Sequence, residues 1–357
     1  MKKTLALIMA LVMMLSLAAC GSKAVPAAEA APAAEAAPAA EAAPAAEAAP
    51  AASDETYVIK LGGGHGPASS LTVCWNDVFI PRVAELTNGR VTVEHYENDA
   101  LGAETDRIEQ VQNGVIEMTY VSEAASSIDP TIGVLAMPFL FQSEEHYDKV
   151  IDGDVGKQIY ANLSQYHMHP LGYLENGFRV LTNSKKEVKS LEDLKGLKIR
   201  VSQSDIPIAT FQALGANTVA MGFGELYSAL QTGTVDGQEN AFNTIATSKL
   251  YEVQKYFSET NHLMGSFIMV ANEEWFQSLP ADIQAAIEQA AAETSAYQRE
   301  IYRAAVDKDR QECIDGGMTG TTVDVTEWIA ATQSVYDEIY QSHPEYEPLV
   351  EAIRALA

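Results

Sequence analysis

From Tyr57 onward, short runs rich in β-branched and aromatic residues alternate with segments whose apolar positions recur at helical spacing. TYVIKL and RVTVEHY have the composition of strands. Between them, LTVCWNDVFIPRVAELT sets Leu71, Trp75, Val78 and Phe79 at helical spacing, and Pro81 predicts a kink because it removes a backbone donor. ETDRIEQVQNG predicts a short helix stopped by Asn113-Gly114, and IEMTYV a third strand. Between Asp193 and Asn240 the pattern reads as a strand ending at Arg200, a helix, a short strand, a helix from about Phe223 and a strand ending in DGQEN. From Ala281 to about Cys313 a helical pattern carries Ile283, Ile287, Ala290, Tyr297 and Ile301 on one face. At about 1.5 Å per residue it approaches 50 Å, more than one small lobe spans. Strand–helix alternation predicts an α/β fold with mainly parallel sheets covered on both faces.

The N-terminus follows other rules. Lys2 and Lys3 precede an apolar run from Thr4 to Ala19, the pattern of a secretory signal. The run is short of the roughly 20 residues that span a bilayer comfortably. Leu17-Ala18-Ala19-Cys20-Gly21 resembles a bacterial lipobox, which implies a leader over 1–19 and a lipid on Cys20. Ala24 to Ser53 then repeats PAAEAA, with prolines at 26, 32, 38, 44 and 50. A proline every sixth residue defeats the helix that Ala and Glu favour. The segment over 20–53 therefore reads as a semi-extended linker, reaching on the order of 90 Å from the membrane at about 3.1 Å per residue.

With 357 residues the chain is long enough for two lobes with separate cores. A formal charge of −26 argues against a nucleic-acid partner, since a phosphate backbone calls for a basic surface. No HExxH, GxSxG or clustered Cys/His pattern occurs, so an enzyme is not the expected class, and no metal or cofactor is expected. Cys74 and Cys313 are free to pair in an exported protein, but buried free thiols are the default.

Candidate chemistry gathers where strands end, because α/β folds form ligand crevices there. Arg200 and Asn240 both fall at such places. A guanidinium fits a carboxylate with two parallel hydrogen bonds, and a carboxamide supplies further polar contacts, so the pair suits an organic anion. The overall acidity opposes an anionic ligand, but screening over about 8–10 Å lets local arginines dominate a cleft. GGGHG follows a strand and fits neither a P-loop nor a dinucleotide motif; His65 within it is a donor candidate, though a plain turn histidine is the simpler reading. Trp75 is a candidate cleft wall and, more simply, a core residue. Glu104 is a candidate acceptor for a ligand hydroxyl or ammonium and, more simply, a partner for a helix dipole.

Several blocks also carry a resemblance. NGFRVLTNSKKEVKSLEDLKGLKIRV, GFGELYSALQTGTVDGQEN, KLYEVQKYFSETNH, LGAETDRIEQVQNG and MPFLFQSEEHY resemble the solute-binding proteins of tripartite ATP-independent periplasmic (TRAP) transporters, the DctP-like family. The resemblance implies a two-lobed periplasmic-binding-protein-like fold over 54–357, with a long helix bridging both lobes. Lobe I would take about 54–177 and 266–305, lobe II about 178–265 and 306–357. It implies a small organic acid as ligand and TRAP permease subunits as membrane partners. Arg200 matches the family's carboxylate arginine, Arg179 a second site arginine, Asn240 a polar contact and Phe223 an aromatic position that is as readily core. Where proline is common in the family, this chain has Val201-Ser202, Asn217-Thr218 and Gly222-Phe223, so no particular ligand carries over. A receptor for an ATP-driven importer and a ligand-reporting partner of a sensor are the competing readings.

Overall fold

The computed structural model describes residues 55–357; the leader, Cys20 and the Ala/Pro/Glu-rich linker lie outside the described residues. Eleven strands among the described residues form two sheets, numbered in chain order: β1 (Tyr57–Gly62), β2 (Val91–Tyr96), β3 (Met118–Val121), β4 (Met168–Phe178), β5 (Val180–Asn183), β6 (Lys198–Val201), β7 (Asn217–Ala220), β8 (Gly237–Asn240), β9 (Tyr256–Glu259), β10 (Met264–Asn272) and β11 (Thr319–Thr322). The first sheet runs β2-β1-β3-β10-β4 and the second β11-β9-β5-β8-β6-β7.

Alternation along each strand builds a core on either face. On β10, Phe267, Met269 and Ala271 join one cluster with Ile59, Leu61 and Tyr120, while Ile268 and Val270 join another with Ile116 and Val121. The second sheet behaves likewise, with Val180 and Phe257 in one core and Leu181, Ile199 and Val201 in the other. Cys74 and Cys313 are free buried thiols in different cores, so they do not pair.

Both sheets are mixed, with five of the nine strand pairings parallel, β9 with β11 among them. The βαβ units give parallel pairs, β1 with β2 and β3, and β6 with β7 and β8. The antiparallel pairs all involve the two ribbons that carry the chain between lobes, β4 into β5 and β9 into β10. A ribbon that passes straight from one sheet to the other has no crossover helix to restore its direction.

The helical run after β1 contains a π-helical turn over Trp75–Phe79, in which the Ile80 N–H donates to the Trp75 carbonyl. Pro81 follows at the start of the helix Ile80–Leu86, so the disturbance expected of proline is taken up as a wider turn ahead of it. The long helix runs Ala281–Asp315. Ile283, Ile287 and Ala290 pack in the first lobe and Cys313 in the second, so it ties the two together.

The C-terminal tail divides between lobes instead of staying on the second. Trp328 packs beside Leu181 and Ile199 of the second sheet. Tyr336, Ile339, Tyr346, Leu349 and Ile353 join the core of the first. The amphipathic helices Gln333–Ser342 and Tyr346–Arg354 find their apolar partners there, and the tail becomes a further strap across the lobes.

At the first crossing, Gly177 has φ +75°. A Cβ there would lie 1.6 Å from the Tyr302 hydroxyl of the long helix. Gly177→Ala should therefore combine left-handed backbone strain with overpacking, costing about 2–4 kcal/mol and lowering Tm by on the order of 5 °C or more. Thermal unfolding followed by circular dichroism checks this; an unchanged Tm would mean that the crossing relaxes freely.

Candidate functional site

Parallel strands deliver their carboxyl ends to one edge of a sheet. In the second sheet β6 ends beside Arg200 and β8 at Asn240, with β7 leading into Met221. β5 runs antiparallel to β8 with Val180 opposite Asn240, so Arg179, just before it, arrives at the same edge. In the first sheet the ends of β1 and β3 lead into Gly64-His65 and Ser122-Glu123. The two edges face each other across a cleft with about 740 Å³ of empty space, open solvent included. His65, Glu104, Arg179, Arg200, Phe223 and Asn240 all line it.

Arg200 is 4% exposed. Its Nε and Nη2 donate to the Met221 carbonyl at 3.0 and 2.7 Å, and it enters no ion pair among the described residues. Burial draws its pKa down to about 10, against the pull of Glu239 and, less strongly, of Glu123 and Glu104. A guanidinium stays charged even so, and a buried charge without a counter-ion is costly. The arrangement holds the fork in place while leaving donor capacity unspent.

Arg179 is built differently. Its Nε and Nη2 donate to the Glu239 carboxylate at 2.5 and 2.8 Å, and Nη2 also to the Glu239 carbonyl. The third member of this network is His262, whose Nε2 lies 3.2 Å from Glu239 while Thr260 holds its Nδ1. Burial works against ionisation of Glu239, but Arg179 and His262 prevail and hold its pKa down to about 2. Arg179 thus lines the cleft as a neutralised pair. Asn240 donates from Nδ2 to Gln238 at 2.9 Å, and Gln238 to Thr182, which fixes the carboxamide at the edge.

The facing wall is aromatic and acidic. Tyr120 Oη accepts from the N–H groups of Gly64 and His65 at 2.9 and 3.2 Å and lies 2.7 Å from His65 Nδ1. Burial, with Arg107 and Arg179 nearby, lowers the His65 pKa to about 3. The imidazole is neutral, the tyrosine proton goes to Nδ1, and the ring proton sits on Nε2 as a donor. Phe223 reaches across from the second lobe, its ring centroid 5.2 Å from that of His65, so it meets the cleft as well as its own core. Glu104 Oε1 accepts from Ser122 N and Oγ at 2.6 and 2.8 Å, and burial raises its pKa.

Trp75 does not reach the cleft. It is fully buried in the core, with its ring 5.0 Å from that of Phe79 and stacked behind Tyr120, as the simpler sequence reading has it. Arg107, Tyr120, Glu123 and Phe267 line the cleft and were not singled out from sequence. Glu123 follows the end of β3, so the strand-end rule that found Arg200 applies to it equally. Arg107 carried no such signal; its helix reads as a charged surface.

The family described as bacterial extracellular solute-binding protein, family 7 (DctP), matches residues 68–343. The chain belongs to this family. A solute-binding protein of Chromohalobacter salexigens is 33% identical over 279 residues, 77% of this chain and 83% of its own. The 2,3-diketo-L-gulonate-binding periplasmic protein YiaO of Escherichia coli is 37% identical over 233 residues, 65% of this chain and 70% of its own. The sugar acid binding protein of Advenella mimigardefordensis, solved with galactonate, superposes with a TM-score of 0.80 at 34% identity, covering 85% of this chain and 99% of that one. The chain is a TRAP-type solute-binding protein of two-lobed α/β architecture.

In this receptor the buried Arg179–Glu239 pair has a pH signature. A carboxylate held at about 2, against about 4.3 when unfolded, contributes stability that is complete above the unfolded value and lost as pH falls through the folded one. Glu239→Gln should cost about 3–5 kcal/mol at pH 7, since it strands a buried cation. Chemical denaturation from pH 7 to pH 2 should show the wild type losing stability below about pH 4.3 more steeply than the variant. Parallel profiles would count against the pair.

Proposed function

We propose that this protein is the extracytoplasmic receptor of a TRAP permease, that it binds a small organic acid between its lobes, and that Arg200 grips the ligand carboxylate. The observation that carries this is a buried guanidinium without a protein counter-ion at the meeting edges of two sheets. A ligand carboxylate supplies the missing charge and accepts from the fork in its own plane. Relatives solved with galactonate and glucuronate, together with YiaO, make sugar acids the first compounds to test. The reading is of a receptor and not an enzyme, in keeping with relatives that are solute-binding proteins.

A thermal-shift screen against organic acids, followed by calorimetry on the hits, tests the reading, because a ligand that binds only the native state raises Tm. Arg200→Lys keeps the charge but loses the planar fork, so affinity should fall roughly tenfold to a hundredfold, with Arg200→Ala weaker still. Unchanged affinity in a folded Arg200→Lys protein would move the carboxylate contact elsewhere.

We propose further that Cys20 carries a lipid and that the linker after it sets the reach of the receptor from the membrane. The support is the Leu17-Ala18-Ala19-Cys20-Gly21 sequence after a charged start and apolar run. Cys20→Ala should release the protein from the membrane fraction or leave it misprocessed. Mass spectrometry of a mature N-terminus that begins elsewhere, with Cys20 unmodified, would refute the anchor.

A further inference from the structure

The cleft edges at His65 and Asn240 lead, within a few residues, into one buried polar junction. Asn243 stands in the first turn of the helix Phe242–Thr247, between Phe242 and Ile245 of the second lobe's core. Ser69 and Ser70 open the helix Ser70–Cys74 of the first lobe, whose Thr72 Oγ1 donates to the His65 carbonyl at 3.1 Å. All three side chains at this meeting point are buried, as are Gln298 and Asp309 of the long helix. Asn243 Oδ1 accepts from Ser70 N and Oγ, both at 3.2 Å, and from Ser69 Oγ at 3.5 Å. Its Nδ2 donates to Asp309 Oδ2 at 2.7 Å. Gln298 Nε2 donates to Ser70 Oγ at 3.2 Å and to the Glu175 carbonyl at 2.7 Å, and its Oε1 accepts from Glu175 N. The crossing ribbon is thereby bound into the same junction. None of Ser69, Ser70, Asn243 and Asp309 lines the cleft.

The chemistry narrows the choice of side chain at the centre. Ser70 N only donates and an ionised carboxylate only accepts, so the group between them has to accept on one side and donate on the other. A carboxamide does both in one plane. An aspartate would set two carboxylates against each other, and an alanine would leave a buried amide and a buried carboxylate without this partner. Asp309 enters no ion pair among the described residues, so Asn243 is what ties it to the first lobe. We propose that Asn243 is a positioning residue, pinning the start of a first-lobe helix to the long helix and so setting the separation of the cleft edges at His65 and Asn240. The weaker contacts of the cleft then open and re-form about a junction that stays made. This goes beyond the carboxylate contact of Arg200 and holds for any ligand, since a closing cleft needs its edges returned to the same spacing.

Distances between the lobes test this without a ligand, so a failure of the carboxylate reading does not touch it. Spin labels go on Lys157→Cys in the first lobe and Lys195→Cys in the second, both exposed, in the full chain carrying Cys20→Ala. Cys74 and Cys313 are buried and stay unlabelled. Double electron–electron resonance reads the distance distribution, and circular dichroism checks each variant for its fold. Asn243→Ala removes both bonds and should shift or broaden the distribution by on the order of 2 Å or more. Asn243→Asp should do the same, because it meets Asp309 with a like charge. Asp309→Asn alone should match the unsubstituted chain, since a carboxamide oxygen still accepts from Asn243. Added to Asn243→Asp it should restore the distribution, donor and acceptor having exchanged places. A purely local role would lower the Tm of Asn243→Ala and leave the distances alone, which overturns the proposal. A shift in Asn243→Asp that Asp309→Asn does not reverse overturns it as well. Where Asn243→Asp fails to fold, Asn243→Ala decides by itself.

Discussion

The cleft depends on keeping the Arg200 guanidinium buried and charged without a carboxylate beside it. Two of its donors are taken by one backbone carbonyl, Met221, which is itself fixed at the end of β7. A carbonyl orients the fork and adds only a partial negative charge, so the attraction for an anion is preserved. Arg179 would add a second positive charge nearby, and its repulsion adds to burial in lowering the pKa of Arg200. Glu239 neutralises it from behind the wall, with His262 and Thr260 completing the hydrogen bonds. One arginine is thereby structural so that the other can remain available.

The arginine network belongs to the second lobe, and the cleft it faces is completed by contacts between the lobes. Ser202 to Glu123, Ser126 to Ser204 and Thr244 to Asn176 are hydrogen bonds between them, and Phe223 packs on His65. All are small polar contacts or a single ring pair, weak beside the four hydrophobic cores. The cores hold each lobe rigid while the cleft contacts are of a strength that a ligand can add to or replace. Two ribbons, the long helix and the C-terminal strap limit the motion to bending at their crossings, where Gly177 sits against Tyr302.

Much of this was legible in the sequence, for a physical reason. Strand periodicity locates strand ends, and strand ends in α/β folds are where ligands bind, so Arg200 and Asn240 could be placed before any tertiary contact was known. The long helix was equally plain, since its apolar face persists beyond the length of one lobe. What stayed hidden depends on contacts between distant segments. Arg179 reads the same whether it meets a ligand or Glu239, far along the chain. The tail's last helices are amphipathic on any assignment, and sequence does not say which lobe offers the complementary surface.

The charge of the whole molecule and the charge of the site need to be considered separately. An overall −26 repels an approaching anion, yet that field is screened within about a Debye length. Inside the cleft the three arginines are matched by Asp99, Glu104 and Glu123, with Glu239 behind them. No surplus of positive charge is on offer, so binding an anion cannot rest on bulk attraction. It has to come from geometry: a fork without an ion-pair partner, held by a backbone carbonyl at the meeting edges of the two sheets. Such a site recognises an anion by the fit of its carboxylate to the fork and not by the bulk charge of the protein.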